Sequence, residues 1–519
     1  MSSELWQKSA CELRDGLTEG TYSSVDIVEA HLSRIDATNT KLNAIVHRFD
    51  EAALTQAQES DERRRQKETL GPLDGIPITI KESMATAGTP VTLGIKNRRN
   101  EATPRDSVVV ELLKKQGAII VGKTNVPQLL LCNETYNEIW GVTPNPFDVE
   151  RVPGGSSGGE AAAIASGMAP WGVGTDIGGS IRVPAAYCGI NGLKPTVDRW
   201  SNLRSYTALM GQETIRGQCG PMARRAEDVA FLFRALDSPM HAPLDPGVAP
   251  VQTPDPQSVD LSTLKVGFYT DDGFLAASPS VARGVEEAAK LMENAGATVL
   301  PFTPPSQNEL ITLYYSALSS DGGATVRERL KGDPLIPQLK MLMRSANMPN
   351  AMRRSIAWLL GKKGEYRIER VLKAVGAKDV ARYWKLNAGR SAMRLDALEA
   401  WDAANLDIVL CPPHATAALR HGDSADFSAA DSYSMRYNLL NFPAGVVPVT
   451  KAKGDDGVRA NPRDRIEKVA ASVEKGSAGL PIGVQVVGRP FMEHKVLAAM
   501  IAIESAAISS DGFPHTPVG

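Results

Sequence analysis

The stretch Gly174-Thr175-Asp176-Ile177-Gly178-Gly179-Ser180-Ile181-Arg182-Val183-Pro184 says most about the fold and chemistry of this chain. A second glycine-rich stretch, Gly154-Gly155-Ser156-Ser157-Gly158-Gly159, places Ser156 24 residues before Ser180. Lys81 lies 99 residues before Ser180 and directly follows the apolar residues 76–80. Two serines in glycine-rich turns and a lysine behind a buried strand indicate a nucleophile, a proton relay and a base, which could catalyse acyl transfer without histidine.

The histidines lie away from these motifs. None of them falls between residues 48 and 240, their positions being His31, His47, His241, His414, His421, His494 and His515. A histidine base would have to come from a distant segment, which remains an alternative because the order of triad residues varies among folds. We favour Lys81 as the base.

A catalytic lysine must be neutral to accept a proton. Its reference pKa of about 10.4 keeps it protonated at neutral pH. Burial behind residues 76–80 would lower the pKa and make the neutral amine accessible. A lysine at a strand end that reaches solvent is the alternative, and the two serine motifs favour the catalytic interpretation.

The glycine pair before Ser180 lets the backbone turn sharply, so that several N–H groups can point at one place. We expect Ile177, Gly178, Gly179 and Ser180 to supply these donors to an oxyanion, at roughly 3 to 4 kcal/mol per donor lost. The alternative is a tight turn or a phosphate-binding loop. A P-loop requires Gly-Lys-Ser/Thr, and neither Gly-Gly-Ser is followed by that pattern.

Composition excludes several classes of protein. The 519 residues carry a formal net charge of −2, with 57 basic against 59 acidic side chains, so no global field favours nucleic acid. The sequence has neither a signal-peptide pattern nor an apolar run of the roughly 18 to 20 residues that span a bilayer. The cysteines lack the spacing of a disulfide framework or a zinc site, being Cys11, Cys132, Cys188, Cys219 and Cys411. We therefore expect a cytoplasmic protein without a metal, at most peripheral to a membrane.

Apolar patterning predicts one large sheet. Strand, helix and strand follow one another at 76–80, 107–116 and 118–121, and again at 265–269, 280–295 and 298–302, which implies parallel strands with crossover helices. Later strands are expected at 407–411, 444–450 and 481–487, and a proline-rich surface connection at 237–260. We divide the single catalytic domain into an N-terminal helical layer (1–65), a core (66–310), a helical insertion (311–404) and the remainder of the core sheet (405–519).

The two serine stretches resemble the amidase signature family. The family pattern Gly-Gly-Ser-Ser-Gly-Gly, then Gly-x-Asp-x-Gly-Gly-Ser-x-Arg-x-Pro-Ala, is matched at 154–159 and 174–185. The resemblance implies an α/β fold, with a large mixed twisted sheet covered by α-helices on both faces. It also implies a Ser-Ser-Lys triad that needs no metal or cofactor, with Ser180 as nucleophile, Ser156 as relay after a cis peptide bond, and Lys81 as base.

Within the family the chain is most similar to fatty acid amide hydrolases, over roughly residues 65–505. The similarity includes the stretches 124–128, 220–224, 321–323, 437–450 and 479–481. It implies an apolar acyl pocket in which Leu130, within Leu129-Leu130-Leu131, contacts the substrate, although three leucines could also be core. It further suggests a homodimer. The transmembrane helix of the mammalian members has no counterpart here.

Residues 339–373 form a basic segment. They hold nine lysines and arginines against two glutamates, a local charge of +7. Met352, Ile356 and Leu359 share one helical face, with Trp358 beside it, which is typical of a helix on a membrane surface. We therefore predict peripheral membrane contact here, the alternative being a helical hairpin packed on its own core.

These observations predict an amidohydrolase that cleaves amides with an extended hydrophobic acyl part through an acyl-enzyme. Its substrate would be a small, lipid-like amide. The enzymatic alternatives are a hydrolase of small amides or carbamates and the glutaminase-type component of an amidotransferase. A lipid-binding protein without turnover belongs to another class, and the complete triad argues against it.

Overall fold

The strands are short and most are separated by helices, as a computed structural model describing residues 2–518 shows. In chain order they are β1 Ile45–Arg48, β2 Pro77–Lys81, β3 Ile119–Thr124, β4 Tyr136–Asn137, β5 Gly141–Val142, β6 Trp171–Asp176, β7 Asn191–Lys194, β8 Gln218–Ala223, β9 Lys265–Phe268, β10 Thr298–Pro301, β11 Ile408–Cys411, β12 Ala444–Lys451 and β13 Pro481–Gly488.

All strands except the β4–β5 hairpin join one sheet of 11 strands, in the order β1-β3-β2-β6-β8-β7-β12-β13-β11-β9-β10. The pairs β2–β3, β2–β6, β9–β10 and β9–β11 are parallel. The central pairs from β6 through β8, β7 and β12 to β13 are antiparallel. The mixed sheet that the resemblance implied is therefore confirmed, and the strand–helix–strand units predicted from the sequence are its parallel parts.

Side chains of the central strands alternate between two cores, one on each face of the sheet. In β11, Val409 and Cys411 join one apolar cluster, whereas Ile408 and Leu410 join the other. Val446 and Val447 of β12 divide in the same way. This alternation is what a strand produces when both of its faces are covered.

Helices supply that cover on both faces. They are α1 Ala10–Glu19, α2 Ser24–Leu42, α3 Asp50–Gln66, α4 Val108–Lys115, α5 Gly158–Ala165, α6 Arg182–Tyr187, α7 Ala226–Ala235, α8 Ser238–His241, α9 Pro279–Asn294, α10 Gln307–Leu318, α11 Ala324–Leu330, α12 Pro337–Asn347, α13 Asn350–Lys362, α14 Tyr366–Ala374, α15 Val380–Ala403, α16 Ser424–Phe427, α17 Ser432–Leu439, α18 Arg465–Glu474 and α19 Glu493–Ala507. Capping boxes at Ser9 and Ser23 fix the starts of α1 and α2.

Three local features differ from the sequence expectation. The N-terminal segment is not purely helical, because β1 pairs antiparallel with β3 at the sheet edge. The expected boundary at residue 310 falls inside α10, so the helical insertion runs from α10 to α15. The proline-rich stretch 237–260 is only partly a surface connection, since it begins with α8, in which Ser238 and His241 are buried. The hydrophobic pattern of the sequence did not indicate these three features.

Candidate active site

Lys81 is the last residue of β2, and its side chain is fully buried. Its Nζ lies 2.7 Å from Ser156 Oγ and 2.8 Å from Thr175 Oγ1. Thr175 belongs to β6, which runs parallel to β2, so both residues reach the site from the carboxyl ends of neighbouring strands. This edge of a parallel sheet is where ligand sites of α/β folds commonly lie.

Burial changes the charge state of Lys81. Desolvation lowers its pKa to about 7, against the opposing influence of the Asp176 carboxylate. Burial thus shifts the Lys81 amine toward its neutral form, in the direction that the preceding apolar strand predicted. Nearby Glu160 is also buried, which raises its pKa to about 7, and Thr124 Oγ1 donates to its carboxylate at 2.7 Å.

The two serine loops contact each other through the backbone. The N–H of Ser157 donates to the carbonyl oxygen of Ser180 at 3.1 Å. The peptide bond between Gly155 and Ser156 is cis, as expected. A Cβ added to Gly155 would lie 2.3 Å from the carbonyl oxygen of Cys132, so this approach requires glycine. The structure thus brings Ser156 and Ser180 to one place, where both line the same cavity.

The loop before Ser180 carries backbone donors. The N–H of Gly179 donates to Asp176 Oδ1 at 2.9 Å and is therefore already engaged. In the described part of the chain, no acceptor pairs with the N–H groups of Ile177, Gly178 or Ser180. Gly179 has a φ of +123°, a conformation that favours glycine. Of the expected oxyanion donors, Ile177, Gly178 and Ser180 are the ones left free.

A buried ion pair fixes this loop. Arg182 Nη2 lies 2.9 Å from Asp176 Oδ1, and both side chains are fully buried. Burial alone would raise the pKa of Asp176, but Arg182 and the Asn438 amide hold it well below its usual range. Asp176 also accepts from the N–H of Ile181 at 3.1 Å. The Asp176 carboxylate thus binds backbone N–H groups on both sides of Ser180.

A cavity opens beside Ser180. Its lining is mostly apolar and combines the loops after β3 and β6 with the helical insertion and α17, including Leu130, Ile177, Tyr314, Leu318, Met343 and Met435. Leu130 also lines the adjacent cavity that contains Ser156 and Ser180. Leu130 therefore lines both cavities, and its contact with a substrate stays a prediction.

Asn133 and Asp431 form a polar pair within the mostly apolar wall. Asn133 Nδ2 donates to both oxygens of Asp431, at 2.7 and 2.6 Å, and both side chains line the cavity. Burial raises the pKa of Asp431 to about 8. His414 Nε2 lies 3.3 Å from Asp431 Oδ1, while its Nδ1 accepts the N–H of Thr416. Since burial lowers the pKa of His414 to about 4, the cluster carries little charge at neutral pH.

Sequence reasoning missed several residues of this site. Thr175 and Asp176 stand inside the quoted motif, and their polarity next to an apolar strand was an available signal. Asn133, Tyr314 and Asp431 lie far apart in the chain, and no local pattern distinguishes them from ordinary core or loop residues. Only the fold brings them to Ser180.

Comparison with known proteins identifies the class. The fatty-acid amide hydrolase 1 of Sus scrofa is 36% identical over 442 residues, which cover 84% of this chain and 76% of the relative. A component of the glutamyl-tRNA(Gln) amidotransferase of Chloroflexus aurantiacus is 31% identical, with coverage of 95% and 96%. A solved fatty acid amide hydrolase superposes with a TM-score of 0.85 at 27% identity, covering 98% of this chain and 86% of that one. Fold, site and relatives together define a hydrolase of amide bonds.

The family profile named Amidase matches residues 26–497. The chain belongs to this family, and the resemblance inferred from the two serine motifs is confirmed. Across residues 2–518, every helix is too short or too polar to cross a membrane.

Proposed function

We propose that this amide hydrolase works through a Ser-Ser-Lys triad and an acyl-enzyme on amides with an extended hydrophobic acyl part. The observation that carries the proposal is the position of Ser156 between the other two residues. The buried Nζ of Lys81 lies 2.7 Å from Ser156 Oγ, and Ser156 lines the same cavity as Ser180.

The proton path follows from these contacts. The neutral amine of Lys81 accepts the proton of Ser156, Ser156 accepts that of Ser180, and Ser180 Oγ attacks the amide carbonyl carbon. The free N–H groups of Ile177, Gly178 and Ser180 stabilise the oxyanion. The C–N bond then breaks as the proton returns through Ser156 to the leaving amine, and water cleaves the acyl-enzyme to acid and free Ser180.

The acyl part of the substrate would occupy the cavity beside Ser180. Its leucine, methionine and tyrosine lining suits a long apolar chain. The relative with a fatty-acid amide hydrolase name supports this assignment. We expect kcat/KM to rise with acyl length until the cavity is full.

The helix α13 would bind a membrane surface. Met352, Trp358 and Leu359 are exposed on it, Trp358 to 57%. Two arginines of the basic segment are not available to bind lipid, because Arg353 is buried and Arg367 forms ion pairs with Asp464 and Glu467. Basic side chains of the same segment that remain exposed are Lys340, Arg344, Arg354, Lys362 and Lys363. Exposed apolar side chains in a segment that also exposes cations suit an anionic lipid surface.

A second candidate is the hydrolysis of glutamine in an amidotransferase. The relative from a glutamyl-tRNA(Gln) amidotransferase favours it. The mostly apolar lining of the cavity, however, offers few partners to the charged α-groups of glutamine. We therefore rank acyl amides first.

A fluorophosphonate probe and paired substrates test the proposal. Wild-type protein should be labelled, Ser180→Ala should not, and the cysteine variant Cys188→Ala, which leaves the serines intact, serves as a labelling control. Long-chain acyl amides should be hydrolysed faster than acetamide, and glutamine should be a poor substrate. Unlabelled wild type would reject the triad, and preference for glutamine would establish the second candidate.

A further inference from the structure

Tyr314 connects the helical insertion to the loop before Ser180. It lies in α10, is 3% exposed, and its hydroxyl donates to the carbonyl oxygen of Ile177 at 3.1 Å. Its ring packs against that of Tyr315 in a T-shaped arrangement, with the centroids 5.7 Å apart. Burial raises the pKa of Tyr314 well above its usual value, so its hydroxyl keeps its proton and remains a donor.

The carbonyl of Ile177 and the N–H of Gly178 belong to one peptide unit. The peptide bond between them is trans, because the cis bonds among the described residues are Gly155–Ser156 and Thr516–Pro517. In a trans unit the C=O and the N–H point in opposite directions. A hydroxyl that holds the oxygen of Ile177 therefore also fixes the direction of the Gly178 N–H.

Without such an anchor this unit could rotate. Because glycine lacks a Cβ, Gly178 places few steric limits on rotation of the Ile177–Gly178 peptide unit. The contact also explains the glycine, because a Cβ at this position would lie 2.3 Å from Tyr314 Oη. The absence of a side chain at Gly178 thus leaves space for the Tyr314 hydroxyl, and it also leaves the peptide unit dependent on that hydrogen bond for its orientation.

We propose that Tyr314 is a positioning residue for the oxyanion site, which holds the Ile177–Gly178 peptide so that the Gly178 N–H points at the developing oxyanion. This inference rests on the proposed function, since it assumes the attack by Ser180. It assigns the helical insertion a part in the chemical step as well as in forming the acyl cavity.

The test is Tyr314→Phe, which removes the hydroxyl and keeps the ring. We expect kcat on a long-chain acyl amide to fall about 10-fold, less than the 10²- to 10³-fold typical of a lost oxyanion donor, while KM stays within about twofold. A trifluoromethyl ketone with the same acyl chain forms a tetrahedral oxyanion on Ser180. Its inhibition constant should rise by a factor similar to the fall in kcat.

Tyr433→Phe is the matched control. Tyr433 is also buried, and its hydroxyl donates to the backbone oxygens of Thr270 and Leu275, away from the oxyanion loop. It should leave ketone affinity unchanged. Equal losses in both variants, or a rise in KM with unchanged kcat in Tyr314→Phe, would overturn the inference.

A double-variant comparison tests the same contact from the Gly178 side. Gly178→Ala should lose turnover, and adding Tyr314→Phe should then restore part of it, because the nearest remaining ring atom would lie 3.4 Å from the new Cβ. Additive losses would contradict a direct contact. Failure of wild type to react with fluorophosphonate would overturn the proposed function as well, whereas an active wild type with an unaffected Tyr314→Phe would reject Tyr314 alone.

Discussion

Lys81 Nζ lies 2.7 Å from Ser156 Oγ at the carboxyl end of β2, inside a sheet that removes both groups from bulk water. The short distance matters because the same burial that lowers the pKa of the amine leaves Ser156 as one of its few partners. The other partners are the hydroxyl and the carbonyl oxygen of Thr175, at 2.8 and 3.3 Å.

The activity should depend on pH through Lys81. The amine is the base only when it is deprotonated, so kcat/KM should rise as the pH increases through about 7. Lys81→Ala should lower the neutral-pH rate by about 10²- to 10⁴-fold and abolish this acidic limb. The measurement is kcat/KM on one amide across the pH range for both proteins. If the acidic limb of the pH profile persists in Lys81→Ala, the limb reports the titration of another group.

Stability should depend on the same proton with a defined sign. The pKa of Lys81 is about 7 in the folded chain, against about 10.4 when unfolded. Between these values the unfolded chain binds a proton that the folded chain lacks, so the Lys81 contribution to the free energy of unfolding increases with pH. Lys81→Met removes this dependence. The free energy of unfolding of Lys81→Met minus that of wild type should therefore fall as the pH rises from about 7 to about 10.

Urea denaturation at several pH values measures that difference. Its absolute value includes the lost contacts to Ser156 and Thr175, so the slope with pH is the quantity to compare. Lys265→Met changes a partly buried lysine of β9 at a distance from the site and serves as the control. A difference that does not vary with pH would mean that Lys81 titrates normally.

The Asp176–Arg182 pair should be needed for both stability and activity. Asp176→Ala leaves the guanidinium of Arg182 buried without this partner, which typically costs about 3 to 5 kcal/mol of the free energy of unfolding. The N–H groups of Gly179 and Ile181 also lose their acceptor. Fluorophosphonate labelling of Ser180 should slow in the protein that remains folded. A stable variant that is labelled at the wild-type rate would contradict this role.

The exposed face of α13 should control binding to lipid. Replacing Trp358 and Leu359 by serine should weaken co-sedimentation with anionic vesicles, because both side chains are more than half exposed. Leu70→Ser changes an equally exposed leucine outside the helical insertion and should leave sedimentation unchanged. Equal sedimentation of all three proteins would assign the basic segment to packing alone.

Much of the fold follows from local pattern, and the reason is visible in particular elements. β12 and β13 are continuous apolar runs because both faces of the sheet are covered, and runs of that kind can be read from sequence. β7 and β8 were not predicted: they carry glycine, proline and polar residues, and their strand structure depends on pairing with each other and with β6 and β12.

Residues of the candidate site also fall into those that the local sequence indicates and those that only long-range contacts place there. The sequence singles out Ser156 and Ser180 because glycines and serines at fixed spacing encode local backbone geometry, and Lys81 because it directly follows an apolar strand. Tyr314 and Asp431 could not be predicted, since their importance comes from contacts across 137 and 298 positions of sequence, with Ile177 and Asn133 respectively. Long-range contacts of that kind leave no periodic signal in the chain.

The side chains around Lys81 Nζ and part of the wall of the cavity beside Ser180 come from different parts of the chain. Lys81 and Thr175 stand on adjacent strands of the sheet, whereas Tyr314, Leu318 and Met343 come from α10 and α12. Changes confined to the helical insertion could therefore alter this part of the cavity wall while leaving Lys81 and Thr175 unchanged. Tyr314 sets the limit of that freedom, because it is the point at which a replaced insertion would have to rebuild its contact with the reacting loop.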